Sequence, residues 1–182
     1  MPQTPDEAHT ITLLTTPTAA DLAGLCEVLT DCVDGGASVS FMAPLAPARA
    51  EAFWQGVLDD AVAGRRALLV ARDPRGRIDG TVQLVLAQPD NQPHRADLAK
   101  MLVHRRARRH GLGAGLMQAA EDAARQHGKS LLVLDTVTGG DAERLYARLG
   151  WDRVGVIPDY ALWPRGGLCA TTVFYKRVAV AG

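Results

Sequence analysis

Neither sign of charge predominates in this chain: twenty Lys and Arg side chains face twenty Asp and Glu, for a formal net charge of zero at pH 7. Without a global field, the protein is not drawn by bulk charge to DNA or to anionic lipid. Aromatic residues are scarce, at 5% of 182. No apolar run approaches the roughly 20 residues of a membrane span. The three cysteines, Cys26, Cys32 and Cys169, are odd in number and fit no metal-ligand or redox spacing. Cys26 and Cys32 fall within or beside an apolar helical pattern and read as small buried hydrophobes. "MPQTPDEAHT" lacks a charged region followed by an apolar one, so no signal peptide is expected, and the expected location is the cytoplasm. What is present is ordinary globular composition, 47% hydrophobic and 22% charged. The length suits one domain over residues 1–182 with a full core.

Along the chain, "ITLLTT" (11–16) reads as a strand, and a helix follows in which Pro17 takes an early position and Leu22, Leu25, Cys26, Leu29 and Val33 form the stripe. Residues 34–47 carry two glycines and two prolines and read as a long loop. A second helix contains Phe53, Trp54, Val57, Leu58 and Val62, and residues 66–88 form a hairpin. A strand over Arg95–His104 precedes a helix over about Gly113 to His127, and "SLLVLDTV" (130–137) has the apolar continuity of a buried parallel strand. "DAERLYARLG" reads as a short helix with Gly150 just beyond its end, before a closing antiparallel pair. The order β-α-α-β-β-β-α-β-α-β-β predicts an α/β (α+β) fold, a mixed sheet with helices on both faces.

"RARRHGLGAGLM" (106–117) joins basic side chains, three alternate glycines and a helix start. A helix beginning near Gly113 offers unpaired N–H groups and the positive end of its dipole. Gly111, Gly113 and Gly115 would let a bulky anion approach the backbone, and Arg108 and Arg109 add charge. A solvated turn is the bland alternative, although Ser or Asp would cap a helix better. The P-loop is excluded because Leu116-Met117 stands where Lys-Ser/Thr is required. A dinucleotide fingerprint fails as well: position 116 is Leu rather than a third glycine, and a basic connection from His104 to His110 replaces the tight turn. Nucleic-acid binding by "HRRARRH" is disfavoured by the absence of nearby aromatics and by zero net charge.

Arg108-x-x-Gly111-x-Gly113, after the strand "AKMLVHRRA" and before a helix, resembles the acyl-CoA motif of GNAT N-acetyltransferases. "LLVLDTVTGGDAERLYARLGW" is similar to that family's next strand, helix and Leu-Gly-aromatic ending. The likeness covers roughly residues 95 to 155. Within the family, "HRADLAKMLVHRRARRHGLG", "LLVLDT" and "VGVIPDYAL" most resemble tabtoxin-resistance-type acetyltransferases, which acetylate the amine of an amino-acid-like β-lactam toxin. Gly139 departs from the pattern, standing where many members carry Asn.

The resemblance implies acetyl-CoA as cofactor, with the pantetheine arm along Met101, Leu102 and Val103 and the pyrophosphate on Arg108, Arg109, His110, Gly111, Leu112, Gly113 and Ala114. A main-chain N–H near Val103 would meet the carbonyl oxygen. Asp97 and Asp135, on strands expected to be neighbours, are the candidates for base and for holding the substrate ammonium. Their alternatives are a solvent-facing charge and a turn cap. Tyr146 is the candidate general acid; periodicity alone makes it core, on one face with Ala142, Leu145 and Leu149. Lys100 reads as a surface residue. His104, His110 and His127 share no convergent face with a carboxylate, so no metal is expected. Trp151, Tyr160 and Trp163 suit core or pocket wall equally. The loop Gly35 to Pro47, with Ser40 and Phe41, is the expected substrate lid.

The expected activity is acetyl transfer to the primary amine of a small amino-acid-like molecule, a toxin or antibiotic among the candidates, by a monomer or homodimer without nucleic-acid or membrane partners. Acetylation of a protein lysine or N-terminus is the enzymatic alternative. A wide groove beside residues 34–47 would favour it, and a closed pocket with paired carboxylates would favour the small molecule. A non-catalytic acyl-CoA sensor would need only the cofactor loop, not Asp97, Asp135 and Tyr146.

Overall fold

The computed structural model describes residues 9–180. Among them the chain runs β1 (Thr10–Leu13), α1 (Ala19–Asp34), α2 (Pro47–Val62), β2 (Arg66–Arg72), β3 (Ile78–Val85), β4 (Arg95–Val103), α3 (Leu112–Gln126), β5 (Leu131–Val137), α4 (Asp141–Arg148), β6 (Asp152–Leu162) and β7 (Leu168–Arg177). The seven strands form one sheet in the order β1-β2-β3-β4-β5-β7-β6. Only β4 and β5 run parallel; every other neighbouring pair is antiparallel. This is the expected order of elements, with α1 and α2 on one face of the sheet and α3 and α4 on the other.

The residues of β2 show why the sheet centre reads as continuous apolar sequence. Leu68 and Val70 enter the core under α1 and α2, while Ala67, Leu69 and Ala71 enter the core under α3. A strand buried on both faces has no polar side to alternate with. β5 departs from the expectation of full burial: Leu132 and Leu134 are buried but Asp135 is exposed.

Helix α1 starts two residues after Pro17. Thr18 is the N-cap in extended conformation, φ −113° and ψ 168°. Its Oγ1 accepts from the Asp21 N–H at 3.2 Å, and its own N–H donates to Asp21 Oδ2 at 2.9 Å. This capping box fixes the helix start beyond the proline. Asp21 is buried and also receives Arg72 Nη2 at 2.6 Å, tying α1 to β2. Gly150 follows α4 at φ +76°, in the post-helix position expected for it.

The sheet divides in its middle. β4 and β5 pair at Arg95↔Leu131, Ala96↔Leu132 and Asp97↔Val133 and no further. Past that point β4 stays with β3, as far as Gly80↔Val103, and β5 stays with β7, as far as Val137↔Thr171. The β3–β4 register shifts between Thr81 and Gln83, opposite Lys100, which stands at φ +49°. Such a bulge bends its strand, and here a wedge opens between β4 and β5.

Asp21 generates a stability prediction. Burial alone would raise its pKa, but hydrogen bonds from Arg72 and from the Thr18 amide and hydroxyl outweigh that and hold the carboxyl below its ordinary value. A depressed carboxylate contributes stability above its unfolded pKa of about 4 and loses it as pH falls through the folded value. Asp21→Asn should therefore cost about 2 kcal/mol in urea unfolding at pH 7, allowing for the partial exposure of Arg72. The gap from wild type should narrow below about pH 4.

Candidate active site

The wedge between β4 and β5 is the floor of a cavity of about 1210 Å³. β4 contributes Leu98 to Val103 and β5 contributes Leu134 to Val137. Further walls come from the loop after α1, the segment before α3, helix α4 and the β6–β7 hairpin. Along the open edge, the main-chain groups of β4 that face β5 have lost a strand to pair with, and buried backbone groups require partners.

The N-terminus of α3 lies on the same cavity. Gly111 is its N-cap at φ +78°, a conformation glycine adopts without penalty, and no side chain caps the helix. The first intrahelical bond runs from the Gly115 N–H to Gly111 O at 3.1 Å, so the N–H groups of Leu112, Gly113 and Ala114 lack intrahelical acceptors. The glycine pattern has more than one cause. A Cβ on Gly113 would meet Leu145 Cδ2 at 3.1 Å, and one on Gly115 would meet Ile11 Cδ1 at 3.0 Å. Gly113 thus lets α4 pack close beside the helix start, while Gly115 seats α3 against β1 and lies off the cavity. Of the three glycines expected to admit an anion, Gly111 and Gly113 line the cavity and Gly115 does not.

The basic run separates in the same way. Arg105 Nε donates to Asp31 at 2.9 Å. Arg106 donates to buried Asp79 at 2.5 Å and to Ile78 O at 3.0 Å, and also pairs with Glu27. His104 accepts from the Arg106 N–H at 3.2 Å, and burial lowers its pKa despite nearby Asp31. These side chains tie the loop to α1 and β3 through Asp31, Glu27 and Asp79. Arg108 and Arg109 line the cavity; His110 is exposed and does not. Arg108 Nε donates to Val103 O at 3.0 Å, which links the loop to the end of β4. Arg109 stands at φ +67° and has no ion pair among the described residues.

Of the expected catalytic residues, the structure brings Asp135 and Tyr146 together at the cavity and leaves Asp97 out. Asp97 lies at the closed end, where β4 and β5 are still paired, bound to Arg95 and to Gln88 Nε2 at 3.1 Å. The neighbouring strands were anticipated; the wedge that separates the two carboxylates was not. Asp135 Oδ2 accepts from Thr171 Oγ1 at 2.7 Å. The Tyr146 ring is buried against Trp151 and Phe174, with centroids at 6.1 and 6.0 Å, so the residue is part of the core as its periodicity indicates. It also lines the cavity. Burial pushes its phenol above the ordinary tyrosine value, and the Asp135 charge adds to the shift.

Ser40 and Phe41 line the cavity as expected. Their loop is tied to the β6–β7 hairpin: Ser38 Oγ donates to Leu162 O at 2.8 Å, and the Ala43 N–H to Pro164 O at 2.8 Å. Tyr160 and Trp163 line the cavity and Trp151 is core. Lys100, read from sequence as a surface residue, is half-buried in the cavity, with Nζ 3.0 Å from Ser40 Oγ. Only the bulge reveals it, since regular alternation does not set its direction. Gly139, which replaces the Asn of many relatives, has φ +81°, a region that Asn and Gly both tolerate.

The site has the fit that acetyl-CoA requires: a sheet edge with free amide groups for the pantetheine arm, and a helix N-terminus with adjacent arginines for the pyrophosphate. The profile of the acetyltransferase (GNAT) family matches residues 27–151. The chain is 38% identical over 128 residues, 69% of its length and 74% of the relative's, to an uncharacterized N-acetyltransferase in the hisH-hisA intergenic region of Azospirillum brasilense. Its fold is similar to that of yncA from Salmonella typhimurium, solved with its cofactor acetyl-CoA, at TM-score 0.76 and 20% identity over 96% of each chain. It is likewise similar to a GCN5-related N-acetyltransferase from Kribbella flavida, at TM-score 0.77 and 22% identity over 94% of this chain and 99% of that one. No helix among the described residues is long and apolar enough to cross a membrane. The chain belongs to the acetyltransferase (GNAT) family and is an acetyl-CoA-dependent N-acetyltransferase.

Proposed function

We propose that the acceptor is the primary amine of a small amino-acid-like molecule, acetylated by direct attack. The observation that carries this reading is the meeting of Asp135 and Tyr146 at the mouth of the β4–β5 wedge. Acetyl-CoA supplies the acetyl group as a thioester. Met101, Leu102 and Val103 provide the strand edge for its arm, and Arg109 with the N–H groups of Leu112, Gly113 and Ala114 binds its phosphates. Asp135 holds the incoming ammonium and takes up a proton from it, directly or through water, leaving the nitrogen lone pair free. As the new N–C bond forms and the C–S bond breaks, Tyr146 donates its phenolic proton to the sulfur, while the nitrogen gives up its second proton to solvent, from which the phenolate is reprotonated. A phenol held above its ordinary pKa stays protonated until the reaction; the thiolate is the weaker base, so the transfer accompanies C–S cleavage and is drawn forward by loss of the nitrogen's proton.

Asp97 has no part in this scheme, being engaged with Arg95 and Gln88. The loop from Ser38 to Ala43, anchored on the β6–β7 hairpin, walls the acceptor side and supports a small molecule over a protein chain, although of the two expected carboxylates only Asp135 lines the cavity. The tabtoxin-resistance likeness of "HRADLAKMLVHRRARRHGLG" keeps amino-acid-like toxins among the substrates to be tested.

Acetyl-CoA should raise the melting temperature, and thiol release should follow addition of the correct amine. A shift without release from any amine would mark a binding module instead. Tyr146→Phe should lower kcat by about 100-fold while acetyl-CoA affinity changes little. Intact turnover would reduce Tyr146 to a core residue. Arg108→Glu removes the link to Val103 and adds repulsion, so calorimetry should show CoA affinity weakened by roughly 10- to 100-fold.

A further inference from the structure

Lys100 and Ser40 share an unusual circumstance. Each is a non-glycine residue in the left-handed backbone region, at φ +49° and +79°, and their side chains meet at 3.0 Å on the cavity wall, where Lys100 is half-buried and Ser40 exposed. Backbone of this kind is strained and persists where the surroundings enforce it, commonly at ligand sites. Here two elements far apart in sequence, the bulge of β4 and the loop after α1, each adopt it at the point of contact.

The ammonium is poorly provided for. Its polar side-chain contact is a neutral hydroxyl, and the Phe53 ring lies 5.8 Å away. It has no ion pair among the described residues, although Asp135 acts on it through space. A cation withdrawn from water without a carboxylate is unfavourable. Burial accordingly lowers the Lys100 pKa, with Asp135 opposing the shift in part. The other cations of the cavity, Arg108, Arg109, Arg144 and Arg148, belong to the loop before α3 and to α4, around the helix N-terminus. Lys100 is the cavity-lining cation beside the Ser40 loop; Arg49, stacked 5.9 Å from the Phe41 ring centroid, does not line the cavity.

We propose that Lys100 and Ser40 bind the carboxylate of the acceptor, so that the enzyme acts on zwitterions: molecules carrying a free carboxylate close to the amine that is acetylated. This rests on the amine-acetylation reading above and specifies its substrate class. Asp135 receives the ammonium and Lys100 the carboxylate. Because Ser40 Oγ accepts from Lys100, its own proton remains free for the second carboxylate oxygen. Both charges of a zwitterion are then met in one cavity.

The test is thiol release with acetyl-CoA across L-amino acids and their primary carboxamides, with simple alkylamines and short peptides alongside. Wild-type enzyme should prefer a free acid over its carboxamide by about 10- to 100-fold in kcat/KM, the range of one charged hydrogen bond. In Lys100→Met that preference should collapse toward one, chiefly through a higher KM for the acid, and Lys100→Arg should restore part of it. Equal wild-type rates on acids and carboxamides would overturn the proposal without recourse to any variant. An unchanged preference in Lys100→Met, in a variant that acetyl-CoA still stabilises against heat, would overturn it equally. Turnover of peptides or alkylamines but of no free amino acid would sink this inference and leave the transferase standing. Release from none of these amines would remove the small-molecule reading along with it.

Discussion

Two strands of one sheet run side by side for three residues and then part, β4 remaining with β3 and β5 with β7. A parallel pair in mid-sheet would ordinarily satisfy its backbone groups along its whole length. Here the pairing stops at Asp97 and Val133, and two strand edges are left facing the cavity without each other as partners. A ligand with amide groups of its own can pair with such an edge where solvent and side chains reach it poorly. The bulge at Lys100 bends β4 away, and α3 begins at the open end, so a strand-like arm and a terminal anion are accommodated in succession.

Electrostatics then sort what composition leaves mixed. A chain of zero net charge still concentrates arginine and histidine between residues 104 and 110. The fold neutralises the first part of that run with Asp31, Glu27 and Asp79, side chains from α1 and β3. Arg108 and Arg109 are left to the cavity, where the uncapped N-terminus of α3 has the same sign. On the acceptor side the charges are sparse and opposed, with Asp135 on β5 and Lys100 on β4.

The order of elements was legible because each has a local cause: the stripe of α1, the doubly buried run of β2, the glycine after α4. The uncapped start of α3 beside two arginines was legible too, since a glycine suited to positive φ and a helix start without a capping side chain stand within a few residues of each other. What the sequence concealed depends on the wedge. Asp97 and Asp135 sit on adjacent strands, yet one lies where those strands are joined and the other where they have parted. Lys100 follows no period of two, because a bulge resets the direction of its side chain. Gly113 and Gly115 resemble a phosphate motif in one dimension, while in three they also answer to Leu145 and Ile11. Tyr146 satisfies both of its readings, as a core ring that also borders the site.

We propose that the parted edge of β4 and the start of α3 together receive acetyl-CoA. Hydrogen–deuterium exchange, measured with and without the cofactor, tests it at the backbone itself. Slowed exchange is expected in Leu98–Val103 and Gly111–Ala114, with the paired start of β4 little changed. Protection confined to other segments, such as the groove between α1 and α2, would contradict it.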